Sequence, residues 1–207
     1  ILSEAEFPPD LEQVREELLI KPRREEIARQ LGLLSPSDDL AAWEAALIWI
    51  GKHPVGPAGQ ITIVPAGVAD IADIARLARA IWPEVYPSII SAAQIDYMLD
   101  QRYSLRTLED DIAVRGMHYA LVREDSECIG YVAWEAGAAG RDAFLHKLYL
   151  LPRCHGRGIG ARALRWVEDG ARSRGLSCIR LRVNRRNSPA IRAYVRAGFS
   201  FEAEVCT

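Results

Sequence analysis

The chain has 207 residues and a mass of 23.0 kDa, the size of one full domain with an extra piece or of two small ones. With 49% apolar and 26% charged residues it has the balance of an ordinary globular protein, and no apolar run approaches the roughly 20 residues that span a bilayer. The net charge of −2 hides an uneven distribution: residues 1–60 hold 6 Lys/Arg against 11 Asp/Glu, residues 61–140 hold 6 against 12, and residues 141–196 hold 14 against 3. That last block is either a solvated basic face or the footprint of an anionic partner. Cys128, Cys154, Cys178, Cys206 and the four scattered histidines show no zinc spacing, so no metal site is expected, and sparse unpaired thiols fit a reducing cytoplasm. No signal-peptide pattern opens the chain, and its first residue, Ile1, suggests a start inside a longer reading frame or after processing.

Residues 8–53 are expected to be short helices. Asp10 caps one whose Leu11, Val14 and Leu18 share a face, stopped before Pro22. Ile27 and Leu31 mark a second, ended by Gly32, and Leu40, Trp43, Leu47 and Ile50 a third. The stretch Pro54-Val-Gly-Pro-Ala-Gly59 breaks the pattern as a linker. Residues 1–60 are therefore a helical extension with no chemistry of its own, and 61–207 a separate domain.

From Ile61 the pattern alternates. A strand at 61–64 precedes a helix over 70–81 with Ile71, Ile74, Leu77 and Ile81 on one side, and 91–113 is helical in two pieces. Strands follow at 118–123, 128–135 and 143–151, the first two joined by the polar turn Glu124-Asp-Ser-Glu127. A glycine-rich break leads to a helix over 160–173, then a strand at 178–183. Ser188-Pro189 starts a last helix that Gly198 stops, and a strand begins at Phe199.

Two motifs carry chemistry. Leu148-Tyr-Leu-Leu-Pro-Arg-Cys-His-Gly-Arg-Gly-Ile-Gly160 runs a strand through a glycine turn into a helix start. Such a turn aims backbone N–H groups at an anion, at the positive end of the helix dipole. The spacing matches neither GxxxxGK[ST] nor GxGxxG. About 30 residues later come Asn187, Ala190, Tyr194, Gly198 and Phe199. Asn187 offers a donor and an acceptor, and the Tyr194 hydroxyl is within reach of a cleft unless the ring is simply half-buried core.

Together these motifs resemble the GNAT superfamily of acetyl-CoA-dependent N-acyltransferases. The family's Gln/Arg-x-x-Gly-x-Gly/Ala motif appears as His155-Gly-Arg-Gly-Ile-Gly160, and its Asn-x-x-Ala-(x)3-Tyr-(x)3-Gly-Phe motif as Asn187 to Phe199, with order and spacing agreeing over roughly 61–207. His155 replaces the usual Gln or Arg, and the chain reaches Thr207 before the family's last strand. The resemblance implies an α/β (α+β) fold with a mixed, mostly antiparallel sheet flanked by helices and splayed between the 144–151 and 178–183 strands. Its one-strand-short edge awaits further residues, the N-terminal segment or a second copy in a homodimer.

The same resemblance implies direct acetyl transfer from acetyl-CoA to an amine within a ternary complex. The backbone of Leu148, Tyr149 and Leu150 would pair with pantetheine. The N–H groups of Gly156, Arg157, Gly158, Ile159, Gly160 and Ala161, after His155, would hold the pyrophosphate, with Arg153 and Arg157 adding charge and Asn187 contacting the pantetheine arm or the loop beside it. Tyr194 would protonate the departing thiolate, and His146 or Glu135 would take the amine proton unless water does. The stretches at 81–86 and 94–98 are similar to polyamine-acetylating members, which implies an acceptor pocket with Trp82, Tyr86 and Tyr97 for a small cationic amine. A protein N-terminal or lysine amine is the other acceptor class, and a non-catalytic acyl-CoA-binding module the other function. Nucleic acid is excluded because the arginines fall on several faces without a recognition motif, and no membrane partner is expected.

Overall fold

The structure, a computed structural model, describes residues 15–22, 59–137 and 140–206. Its strands are β1 (Arg15–Pro22), β2 (Ile61–Ala66), β3 (His118–Glu124), β4 (Glu127–Ala136), β5 (Asp142–Leu150), β6 (Cys178–Asn184) and β7 (Ser200–Cys206). The helices are α1 (Ile71–Val85), α2 (Ala92–Tyr103), α3 (Leu105–Ala113), α4 (Ile159–Ser173) and α5 (Ser188–Arg196), with single 3-10 turns at Val68–Asp70 and Pro152–Cys154. None of the described helices is long and apolar enough to cross a membrane.

Local chemistry sets most boundaries. Ser91 Oγ accepts from the Gln94 N–H at 3.2 Å while Gln94 Oε1 accepts from the Ser91 N–H at 2.9 Å, a reciprocal cap that starts α2. Ser104 starts α3 by accepting from the Thr107 N–H at 3.2 Å. Helix α1 runs to Val85, four residues past its expected end, with Pro83 inside its last turn. Burial of Ile81 and Trp82 on the same face as Ile74 and Leu77 carries the helix through the proline, which removes one backbone donor close to the end.

The sheet order is β2-β3-β4-β5-β6-β1-β7, antiparallel throughout except for the parallel pair β5–β6. Helix α4 connects that pair, as a parallel crossover requires. One core, centred on Val132, Trp134, Leu145, Leu164, Val167 and Leu181, fills the face under α4 and α5. The other, with Ile74, Leu77, Trp82, Leu99, Leu108, Tyr119 and Tyr131, fills the face under α1, α2 and α3.

One expectation is overturned. The described segment of the first expected helix is a strand, β1, paired antiparallel with β6 on one side and β7 on the other. The short run Leu18-Leu19-Ile20 fits either period, and pairing on both edges decides for the strand. Residues 15–22 thus belong to the same sheet as the rest, at the edge expected to be one strand short. The other two expected N-terminal helices lie outside the described residues.

Strands β5 and β6 pair only from Asp142–Leu145 against Cys178–Leu181, yet β5 runs on to Leu150 and β6 to Asn184. Each keeps its outer partner to the end: Leu150 stays opposite Gly130 on β4, and Asn184 opposite Glu16 on β1. The two strands therefore diverge because each follows a different neighbour. A register shift at Ala133/Trp134, with Ala133 opposite Lys147 and Trp134 opposite Leu145, makes His146 an extra, bulged residue at the start of the gap.

Gly130 lets β5 follow β4 so closely. A Cβ there would lie 2.4 Å from the Tyr149 carbonyl oxygen and 2.5 Å from Leu150 Cδ2. Gly130→Ala is expected to cost about 1–3 kcal/mol in urea denaturation. An unchanged midpoint would show that β5 does not depend on this approach.

Candidate functional site

The glycine turn follows β5 directly. The Leu151 N–H donates to the Ile129 carbonyl at 2.9 Å, and the Cys154 and His155 N–H groups close the 3-10 turn at 2.8 and 3.0 Å. Gly156 and Gly158 then take φ of 75° and 73°, and a Cβ at either would meet nothing within 4 Å. Their glycines are thus required by backbone conformation, not by space. The first bond returned to the turn by α4 is from the Arg162 N–H to the Gly158 carbonyl at 3.3 Å. The N–H groups of residues 156–161 are left without a backbone acceptor at the positive end of a 15-residue helix.

Side chains around the turn depart from expectation. His155 Nε2 donates to the Leu150 carbonyl at 3.0 Å, tying turn to strand. Arg157 pairs with Glu124, with one bond of 3.0 Å, and Arg153 with Glu127. Both carboxylates come from the β3–β4 hairpin, so the two arginines expected to add charge at the turn are already neutralised beside it.

Along the gap, Leu150 is buried, Leu148 packs on the α4 core, and Tyr149 faces the other core. Its ring lies 5.7 Å from Trp82 and 5.4 Å from Tyr131, and its hydroxyl is 3.0 Å from that of Tyr86. Among the described residues, Trp82 Nε1 and the Tyr131 hydroxyl are buried without a hydrogen-bond partner. Of the expected acceptor residues, Trp82 and Tyr86 therefore join one aromatic cluster against β5, while Tyr97 sits half-buried on α2. An open hollow of about 410 Å³ lies between the 87–91 turn, Gln94 and Arg186.

Asn187 caps α5, its Oδ1 accepting from the Ala190 N–H at 3.2 Å. Tyr194 follows two turns on, its ring 5.6 Å from Phe199. Burial, and then the nearby Tyr86, push its phenol above the ordinary value, so it holds its proton at neutral pH.

The two expected bases form one unit. His146 Nε2 donates to Glu135 Oε1 at 2.8 Å, which leaves Nδ1 with the free lone pair. Burial pushes the imidazole below its ordinary 6.5 despite Glu135, with Lys147 and Arg115 adding to the lowering. Behind this pair lies a network that neither sequence motif marks. Arg115 reaches Glu135 at 3.3 Å and Asp111 Oδ1 at 2.9 Å. Asp111, 2% exposed, also accepts from Tyr119 at 2.6 Å and Lys147 at 2.7 Å through Oδ2, and Lys147 donates to the Tyr119 hydroxyl as well. The one signal in the sequence is Lys147 between Leu145 and Tyr149, a cation at an inward position of a strand.

Burial opposes ionisation of Asp111, but Lys147, Tyr119 and Arg115 outweigh it and hold the carboxyl below its ordinary 3.8. A depressed carboxyl stabilises the fold fully above its unfolded value, and that contribution disappears as pH falls through the folded one. Asp111→Asn is expected to cost about 3–5 kcal/mol at pH 7, because it strands a buried Lys147. In urea denaturation followed against pH, the difference from wild type should shrink below about pH 3.8. A pH-independent difference would contradict the ion pair.

The description "Acetyltransferase (GNAT) family" belongs to a family model that matches residues 71–199. The chain is 27% identical over 147 residues to a spermidine N(1)-acetyltransferase of Thermoplasma acidophilum, covering 69% of this chain and 90% of that one. It is 29% identical over 132 residues to an uncharacterized N-acetyltransferase of Mycobacterium tuberculosis, covering 64% and 84%. The crystal structure of the PaiA N-acetyltransferase of T. acidophilum in complex with coenzyme A superposes with a TM-score of 0.64 at 26% identity, covering 72% of this chain and 99% of that one. Glycine turn, parted strands and family match coincide on one stretch of sequence, and this chain belongs to the GNAT acetyltransferase family.

Proposed function

We propose that the protein transfers the acetyl group of acetyl-CoA directly to a primary amine of a small molecule, in a ternary complex with no acyl-enzyme. The observation that carries this reading is the β5–β6 gap opening onto the unpaired N–H groups of 156–161. The donors fit coenzyme A: a row of amides at a helix N-terminus suits a pyrophosphate, and the free edge of residues 146–150 suits the amides of a pantetheine arm. Acetyl-CoA supplies an activated acetyl thioester and a thiolate leaving group.

The chain's own groups do the rest. Gly156–Ala161 hold the pyrophosphate through backbone N–H groups, without needing Arg153 or Arg157, and His155 braces the turn. Leu148, Tyr149 and Leu150 align the pantetheine arm by strand-like pairing, and Asn187 fixes the start of α5 beside it. His146 Nδ1 takes a proton from the amine as the new N–C bond forms, with Glu135 orienting the ring and stabilising its charged form. Tyr194 gives its proton to the sulfur as the C–S bond breaks. The aromatic cluster of Trp82, Tyr86 and Tyr149 favours a cationic amine such as a polyamine.

Thiol release from acetyl-CoA should appear with polyamines and other small primary amines. Tyr194→Phe should lower kcat by about 100-fold or more while coenzyme A binds within about twofold of wild type. Full kcat in that variant would remove Tyr194 as the acid. Because the imidazole lies below 6.5, the acid limb of kcat/KM should fall below pH 6.5 and be absent in His146→Gln.

A further inference from the structure

We propose that Arg115 is a positioning residue for the base: its guanidinium ties Glu135 to the buried Asp111, which fixes the His146 ring with Nδ1 toward the acceptor. The proposal rests on the reading of His146 as the base.

Its geometry is over-determined. Helix α3 ends with the Val114 and Arg115 N–H groups both donating to the Asp110 carbonyl, at 3.0 and 2.9 Å. Gly116 then reverses the chain at φ 70°. The Arg115 backbone is thus fixed at a helix stop and not on a free loop. From there one nitrogen meets Asp111 Oδ1 at 2.9 Å and the other meets both oxygens of Glu135 at 3.3 Å. The planar guanidinium meets the two carboxylates with different nitrogens at once, a fork geometry that a lysine ammonium does not reproduce.

Asp111 is the anchor, with Lys147 and Tyr119 saturating its other oxygen. His146 sits in a bulge, where its backbone lacks regular strand pairing, so the ring is held by its side-chain contacts: the bond to Glu135 and the Phe144 ring, 4.7 Å away. The charged groups facing it are Glu135 from β4, Lys147 from β5 and Arg115 from the turn after α3, with Asp111 and Tyr119 behind Lys147. Glu135 favours the protonated ring, whereas Arg115 and Lys147 oppose it.

The test is the pH dependence of kcat/KM for acetyl transfer in Arg115→Gln, Arg115→Lys, Glu135→Gln and His146→Gln, each with its thermal midpoint. Arg115→Gln should lower kcat about 10- to 100-fold with KM for acetyl-CoA nearly unchanged. Its acid limb should move to higher pH, and that of Glu135→Gln to lower pH. Arg115→Lys should keep the limb near wild type and recover some of the lost kcat. A merely structural role would lower the midpoint and scale activity without moving the limb. If His146→Gln is inactive but the Arg115→Gln limb coincides with wild type, the positioning role is overturned while the base assignment stands. Full activity in His146→Gln overturns both.

Discussion

The geometry of the candidate site depends on the divergence of β5 from β6. A parallel pair that stops after Leu145 and Leu181 leaves one edge of β5 without a strand partner, an arrangement a sheet interior avoids unless something else pairs there. The gap is held open from outside, by β4 on one side and β1 on the other. At its start the bulge presents His146, and at its end β5 runs straight into the glycine turn. One backbone feature thus places a strand edge, a helix N-terminus and a candidate base along a single line.

The second organising feature is electrostatic. The basic excess after residue 141 first suggests a large positive face, yet part of it is paired with carboxylates of the fold. Arg153 and Arg157 meet the β3–β4 hairpin, Arg180 meets Asp142 and Glu202, Arg172 meets Asp169, and Lys147 meets Asp111. Across Arg153, Arg157 and Lys147, the acidic excess before residue 141 and the basic excess after it supply opposite ends of the same ion pairs. What remains for an anion at the glycine turn is mainly backbone N–H groups, which are aimed by geometry and need no side chain.

How much of this is legible in the sequence follows from how local each feature is. The glycine turn depends on neighbours a few residues away, so spacing alone locates it; the last helix is also found from its Ser188-Pro189 start, although its cap is Asn187 and not Ser188. Strand β1 does not: Leu18-Leu19-Ile20 suits either period, and only its pairing with residues far along the chain makes it a strand. The Asp111–Lys147 network is equally hidden, since its members lie 36 residues apart and meet only because α3 packs on the β3–β5 face. In the sequence, His146 and Glu135 stand as rival bases. Their 2.8 Å bond joins the two into one unit, beside a bulge that no spacing rule foretells.

Whether the diverging strands and the glycine turn together hold coenzyme A is decided by following backbone amide resonances through a coenzyme A titration. The amides of Gly156–Ala161 and of residues 146–150 should shift together, with new protection from hydrogen exchange along 146–150. Saturable binding that leaves both segments unperturbed would contradict that role.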